Sequence, residues 1–215
     1  MTTSAKARGL AFAAVLAVAG YLVGLWQDWP ALRLATKPVP VLCLLVSVLA
    51  RDRDRYSRLI AAGLALSALG DVLLEFPGLF VAGLGAFLCA HTSYILAFLL
   101  QSARPHLWRA LPFLVWLGLA YVQMRPGLDG MMVPVTLYVL VIGIMMWRAA
   151  ARIGDVPGAM PAAIGAVLFG LSDMLIGLDR FHAPISGVRY AIGVLYWAGQ
   201  AGISQRRLGP TPIMQ

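Results

Sequence analysis

The stretch AAGLALSALGDVLL, residues 61–74, contains a single charged side chain, Asp71. Everything around it reads as helix suited to lipid, where an ionisable group costs several kcal/mol unless it faces a bundle interior or a wet cavity. A second stretch, AIGAVLFGLSDMLI at residues 163–176, lies 102 residues downstream and matches the first without gaps at six of fourteen positions, setting Asp173 over Asp71. The same offset pairs Tyr94 with Tyr196. A parallel four-plus-four internal repeat, with the aspartates facing each other across a pseudo-twofold axis, would account for both pairings.

The surrounding chain supports a membrane setting. Of its 215 residues 60% are hydrophobic and 12% charged, roughly half the charged share of an ordinary soluble domain. The mean hydropathy is +0.82. A spanning helix needs about 20 mostly apolar residues. Eight such runs are expected, at about 9–26, 32–50, 58–76, 79–101, 107–123, 130–150, 159–178 and 188–205. The expected fold is therefore all-α, a polytopic transmembrane bundle of eight helices, with residues 1–215 as a single integral membrane domain. Lys6 and Arg8 before an apolar run could open a secretory signal peptide, but the run continues through Leu25, which favours a retained first helix.

The formal charge of +8 is spread in a way that orients the chain rather than marking a nucleic-acid surface. With eight spans both termini share a side. That side carries twelve basic residues, Lys6, Arg8, Arg51, Arg53, Arg55, Arg58, Arg104, Arg109, Arg148, Arg152, Arg206 and Arg207, against Arg33, Lys37, Arg125, Arg180 and Arg189 on the other. The excess places both termini in the cytoplasm, and the expected location is a bacterial inner membrane. The RDRDRYSR run at 51–58 reads as a membrane-surface anchor.

Depth counting at 1.5 Å per residue brings polar groups from six spans into the outer half of the bundle. Asp71 and Asp173 fall about 8 Å below the outer boundary, and Tyr138 and Tyr196 about 12 Å below it. Lys37 opens the second span near the outer face, while His91 and Gln200 lie nearer the middle. Gly170, Phe169, Ala166 and Ala162 share the Asp173 face, and small residues of this kind let helices approach closely. Arg189, Gly193, Tyr196, Gln200 and Ser204 form one stripe on the last span, and His91 shares a face with Phe87 and Tyr94. Glu75, Asp179 and His182 read as solvated residues of the outer rim. Taken singly, each intramembrane polar group could be a packing anchor; their clustering is what points to function.

Several chemistries are absent from the sequence. It has no G-x-S-x-G elbow and no Gly-rich phosphate loop followed by Lys and Ser or Thr. His91 alone among the three histidines lies inside a span, which argues against a three-histidine zinc site. No metal or other cofactor is expected. Carboxylate acid–base chemistry remains, or binding of protons or cations.

The pieces TKP (36–38), SALGDVLL (67–74), FLCAHTSYI (87–95), LFGLSDMLI (168–176) and YWAGQ (196–200) together resemble the YhhN-like family of eight-span membrane proteins, whose characterised animal members are lysoplasmalogenases. The resemblance implies hydrolysis of the vinyl ether bond of a 1-alkenyl lysophospholipid to a fatty aldehyde and a glycerophospho-alcohol. On that reading Asp71, Asp173 and His91 are catalytic, with Asp173 as acid and Asp71 as base. Lys37, Tyr94, Tyr138, Arg189, Tyr196, Gln200 and Ser172 would contact the substrate. Lys37 and Arg189 would hold its phosphate, and Phe87, Phe169 and Trp197 its chain. The two aspartates are expected to share one cavity. The partners implied are the lysophospholipid and membrane lipid, with no nucleic acid. Two other classes fit the same residues, a proton- or cation-coupled transporter and a lipid-binding scaffold without chemistry.

Overall fold

The computed structural model describes residues 3–51 and 53–205. Asp52 of the basic run, and Arg206 and Arg207 of the charge count, lie outside the described residues. The helices in chain order are α1 (Thr3–Trp26), α2 (Pro30–Thr36), α3 (Val39–Arg51), α4 (Arg55–Leu74), α5 (Phe80–Gln101), α6 (Leu111–Met124), α7 (Met132–Ala151), α8 (Met160–Phe181) and α9 (Val188–Ser204). Short 3₁₀ turns flank α6, and no strand occurs among the described residues. Seven described segments are long and apolar enough to cross a membrane, with α2 and α3 together forming one of them. The eighth long helix is α9, with 17 residues.

The second expected span is broken into two helices. Pro38 and Pro40 lack backbone N–H groups, so the helical ladder cannot run unbroken through this segment, and α2 gives way to α3 at Lys37. Backbone groups freed inside a membrane need partners from elsewhere in the protein. The Lys37 carbonyl accepts a 3.2 Å hydrogen bond from Trp197 Nε1 of α9, and Thr36 Oγ1 donates back to the Leu32 carbonyl at 2.6 Å. The break sets Lys37 at one end of the bundle, beside α4 and α9.

Polarity is distributed as a bilayer requires. Phe12, Leu16, Leu114, Val122 and Val133 point outward, while Ser67, Asp71, His91, Ser172 and Gln200 are buried. The most extensive packing is within the hairpins α4–α5 and α8–α9. Shifted by 102 residues, α3, α4 and α5 fall over α7, α8 and α9, and the packing follows: α3 on α4 and α7 on α8, α5 on α7 and α9 on α3.

Glycine makes the α8–α9 contact possible. A Cβ on Gly165 would meet the Gly199 carbonyl oxygen and the Ile203 nitrogen, each at 2.6 Å, and one on Gly199 would meet the Phe169 nitrogen at 2.8 Å. These are backbone atoms that no rotamer change can move. In α4, by contrast, Gly63 and Gly70 are seats for the rings of Tyr94 and Phe87 on α5. Gly165→Ala should therefore force the hairpin apart, at a cost of about 1–3 kcal/mol from overpacking. Gly85→Ala and Gly118→Ala, whose added methyls meet nothing, should gain up to about 1 kcal/mol in helix propensity. Thermal unfolding in detergent should place Gly165→Ala below the parent protein and the other two variants at or above it.

Candidate active site

A carboxylate drawn into a bundle needs hydrogen-bond donors, and both intramembrane aspartates have them. Asp71, on the inner face of α4 and only 1% exposed, accepts a 2.7 Å bond from the Tyr196 hydroxyl of α9. One turn deeper, the Tyr94 hydroxyl donates to Gln200 Oε1 at 2.7 Å, joining α5 to α9. Asp71 also lies within Coulombic reach of Lys37 and of Asp173.

Asp173 on α8 is held differently. The Tyr138 hydroxyl of α7 donates to its Oδ2 at 2.5 Å. His91 Nε2 of α5 lies 3.0 Å from the Tyr138 hydroxyl and 3.3 Å from the same carboxylate oxygen. The imidazole is fully buried and packs edge-on against Phe169 with ring centroids 4.7 Å apart. Its Nδ1 has no hydrogen-bond partner among the described residues. Under the 102-residue correspondence the mate of the Asp71–Tyr196 bond would join Asp173 to Tyr94. Tyr94 instead serves Gln200, and Asp173 takes Tyr138 and His91. The repeat in packing is thus broken in the hydrogen bonds of the site.

A narrow apolar crevice leads to Asp173. Leu84, Leu117, Ala120, Met124, Val135 and Ile142 line its apolar walls, and Tyr138 and Asp173 are the polar groups it reaches. The expectation of one cavity shared by both aspartates is corrected here. Asp71 is not among the lining residues, because the Phe87 ring, seated on Gly70 and 5.9 Å from the Tyr196 ring, fills the space between. The expected set of chain-binding aromatics is corrected too. Phe87 lines the crevice, but Phe169 lies behind it, against His91 and Tyr196. Trp197 is turned toward α1, edge-on to Tyr21 at 5.2 Å.

The rim holds the largest departure from sequence reasoning. Glu75, read as solvated, has a side chain only 5% exposed and gathers three cations. Its carboxylate pairs with Lys37 Nζ at 3.1 Å, Arg33 Nε at 3.3 Å and Arg189 Nη2 at 3.6 Å. Burial pushes the Glu75 carboxyl up, but Lys37, Arg189 and Arg33 outweigh it and hold the group below the usual carboxylate range. Arg33 also pairs with the exposed Asp28 at 2.8 Å. The signal that could have found Glu75 is its spacing. It stands four residues from Asp71, on the same face of α4 and one turn nearer the rim.

The structure thus brings Asp71, Asp173, His91, Tyr94, Tyr138, Tyr196 and Gln200 into one buried polar layer, with Lys37 and Arg189 above it. Ser172 stands apart. Its hydroxyl donates to the Ile192 carbonyl at 3.0 Å and ties α8 to α9.

Comparison with known proteins places this arrangement in a family. The chain is 33% identical over 180 residues to a human protein named lysoplasmalogenase TMEM86B, covering 82% of this chain and 76% of that one. It is 35% identical over 178 residues to bovine lysoplasmalogenase TMEM86A, covering 76% and 73% respectively. A Mycobacterium tuberculosis protein named lysoplasmalogenase is 33% identical over 157 residues, covering 68% of this chain and 59% of its own length. No solved structure matches the chain. The YhhN family model matches residues 32–206, from α2 through α9, and the chain belongs to the YhhN family.

Proposed function

We propose that the protein is a membrane-embedded lysoplasmalogenase, cleaving the vinyl ether bond of 1-alkenyl lysophospholipids. The observation that carries this reading is the position of Asp173: a tyrosine-bonded carboxyl at the end of an apolar crevice, with a second carboxyl in Coulombic reach. The names of the relatives agree with it. In this reading the eight spans form one domain in a bacterial inner membrane, with cytoplasmic termini and the crevice nearer the outer leaflet.

Vinyl ether hydrolysis begins with proton transfer to the β-carbon. Asp173 is the donor, since it is the carboxyl that faces the crevice, and His91 and Tyr138 hold it in place. The α-carbon becomes an oxocarbenium centre, which the negative charge of Asp71 stabilises. Water adds to that carbon and its proton returns to Asp173, the carboxylate that faces the crevice. The hemiacetal then collapses, its hydroxyl proton moving to the leaving oxygen, to give a fatty aldehyde and a glycerophospho-alcohol. One water is consumed, and Asp173 is protonated again. Lys37 and Arg189 bind the phosphate, and the alkenyl chain lies in the crevice. Tyr94 and Gln200 support Tyr196 from below, and Ser172 keeps α8 against α9.

Replacing either aspartate by asparagine keeps its shape while removing a proton donor or a negative charge. Asp173→Asn and Asp71→Asn should each lower aldehyde release from 1-alkenyl lysophospholipid in detergent by about 10²-fold or more. Melting temperatures should stay near that of the parent protein. Retained activity in Asp71→Asn would remove Asp71 from the mechanism.

The crevice makes a separate prediction about chain length. Ala120→Trp places an indole in its wall, so turnover of long 1-alkenyl chains should fall while that of short ones is spared. An equal loss for every chain length would place the chain elsewhere.

A further inference from the structure

Two apolar recesses flank α6, and only one of them reaches Asp173. That inner crevice is narrow. The outer groove, the roomier of the two, runs between α6 and α7 from Tyr121 and Thr136 at one end to Ala110 and Trp147 at the other. Leu114, Leu140 and Ile144 in its walls are exposed, so it faces lipid. Leu117 and Val139 line both recesses, and their two side chains form the wall between them. A 2.7 Å hydrogen bond between Tyr121 and Thr136 ties the helices together at one end of the groove. Val139 is β-branched, and in a helix such a side chain keeps one strongly preferred rotamer. Leu117 is freer. Its Cδ1 rests against Gly143, where a Cβ would come within 2.9 Å, and a Cβ on the adjacent Gly118 would meet nothing.

We infer that the outer groove holds the distal part of the substrate's chain, which passes from the inner crevice through the wall at Leu117. The proposal rests on the lysophospholipid reading above. Tyr138, at the level of Asp173, and Trp147, at the far end of the groove, are nine residues apart on α7, or about 14 Å of helix. The two recesses in series give a long chain an apolar path that the narrow crevice alone lacks. Lying in the groove costs the chain little, because a lipid-facing surface keeps it in apolar surroundings. Leu117 opens the way by changing rotamer into the space left at Gly143 and Gly118, while Val139 stays as the fixed side. A short chain ends before the wall and never meets it. Leu117 is on this account a specificity residue for chain length, and it touches no reacting atom.

The test uses uncleavable 1-alkyl-glycerophosphocholines, so that chain binding is read without turnover. Affinities for the octyl and hexadecyl lipids are measured by calorimetry on the full chain in detergent. Comparing variants in the same micelles cancels the cost of leaving the micelle. Gly118→Phe places a ring in the groove, and the hexadecyl-to-octyl affinity ratio should fall about fivefold or more. Leu117→Ala removes the movable half of the wall, and the ratio should rise about twofold or more. A bromine on the last carbon of the hexadecyl chain should quench Trp147 saturably, and Trp147→Phe should abolish that quenching; the octyl counterpart should not quench it. An unchanged ratio in Gly118→Phe overturns the proposal and leaves the groove to bilayer lipid. If that variant does not fold, saturable quenching that persists undiminished in Trp147→Phe overturns it. An equal effect of Leu117→Ala on both lipids overturns it as well. Because no bond is cleaved, a chain-length response in a protein that releases no aldehyde would count against the hydrolase reading alone.

Discussion

Lipid offers no hydrogen bond to a carboxylate, so each aspartate inside the bundle depends on donors carried by other helices. That requirement shapes the centre of the molecule. Asp71 binds α4 to α9 through Tyr196, and Asp173 binds α8 to α7 and α5 through Tyr138 and His91. Gln200 and Tyr94 close the remaining link between α9 and α5. Each bond within a membrane bundle contributes only about 0.6–2 kcal/mol. Removing a donor from a buried charge costs more, about 3–5 kcal/mol where an ion pair is broken. The polar layer thus fixes which faces of five helices must meet, and the glycine contacts of α8 with α9 let them come close enough to do so.

The same layer separates the two aspartates chemically. Related packing of α3–α5 and α7–α9 would, in a perfectly repeated bundle, give them equivalent surroundings. Here one is enclosed behind Phe87 and bonded to a single tyrosine, while the other reaches a crevice and shares its oxygen with a tyrosine and a histidine. Two carboxyls with different neighbours can hold different protonation states, and acid–base catalysis by a pair requires that difference. His91 supplies most of the asymmetry. At the +102 position from His91 stands Gly193, which cannot serve Asp71 in the same way.

The spans were legible because length and hydropathy alone specify a transmembrane helix, and the aspartates because a charge in an apolar run stands out. Tyr138 and His91 were legible by depth, though which aspartate they serve was not, since that depends on how α5, α7 and α8 rotate about their own axes. The break at Lys37 was written in TKPVP, where two prolines interrupt the helical ladder, but an apolar count runs straight across it. Glu75 and Arg33 were missed for a physical reason. At the end of a span a charged side chain is ordinarily wet, and their burial exists only because α2, α4 and α9 end at the same level. Ser172 shows the opposite error. It borrows apparent importance from its neighbour Asp173, while its hydroxyl is taken up by the α9 backbone.

Polarity along the bundle axis also separates the candidate classes of function. A path for ions needs polar groups continuing toward both faces of the membrane. From the rim inward the order here is a charged cluster at Glu75, a hydrogen-bonding layer at Asp71, Asp173 and His91, and then Phe98, Met145, Met146 and Ile203, each fully buried. At the far end, Arg109 donates to the carbonyls of Ala150, Ala151 and Ile153, and Arg148 to those of Arg104 and Ser102, so their charges clamp helix ends and loops. The apolar crevice reaches this layer from the side, at Asp173. On the proposed reading a lysophospholipid lies with its chain in that crevice and its anionic head toward the Glu75 end, which would set the scissile bond at the level of the two aspartates.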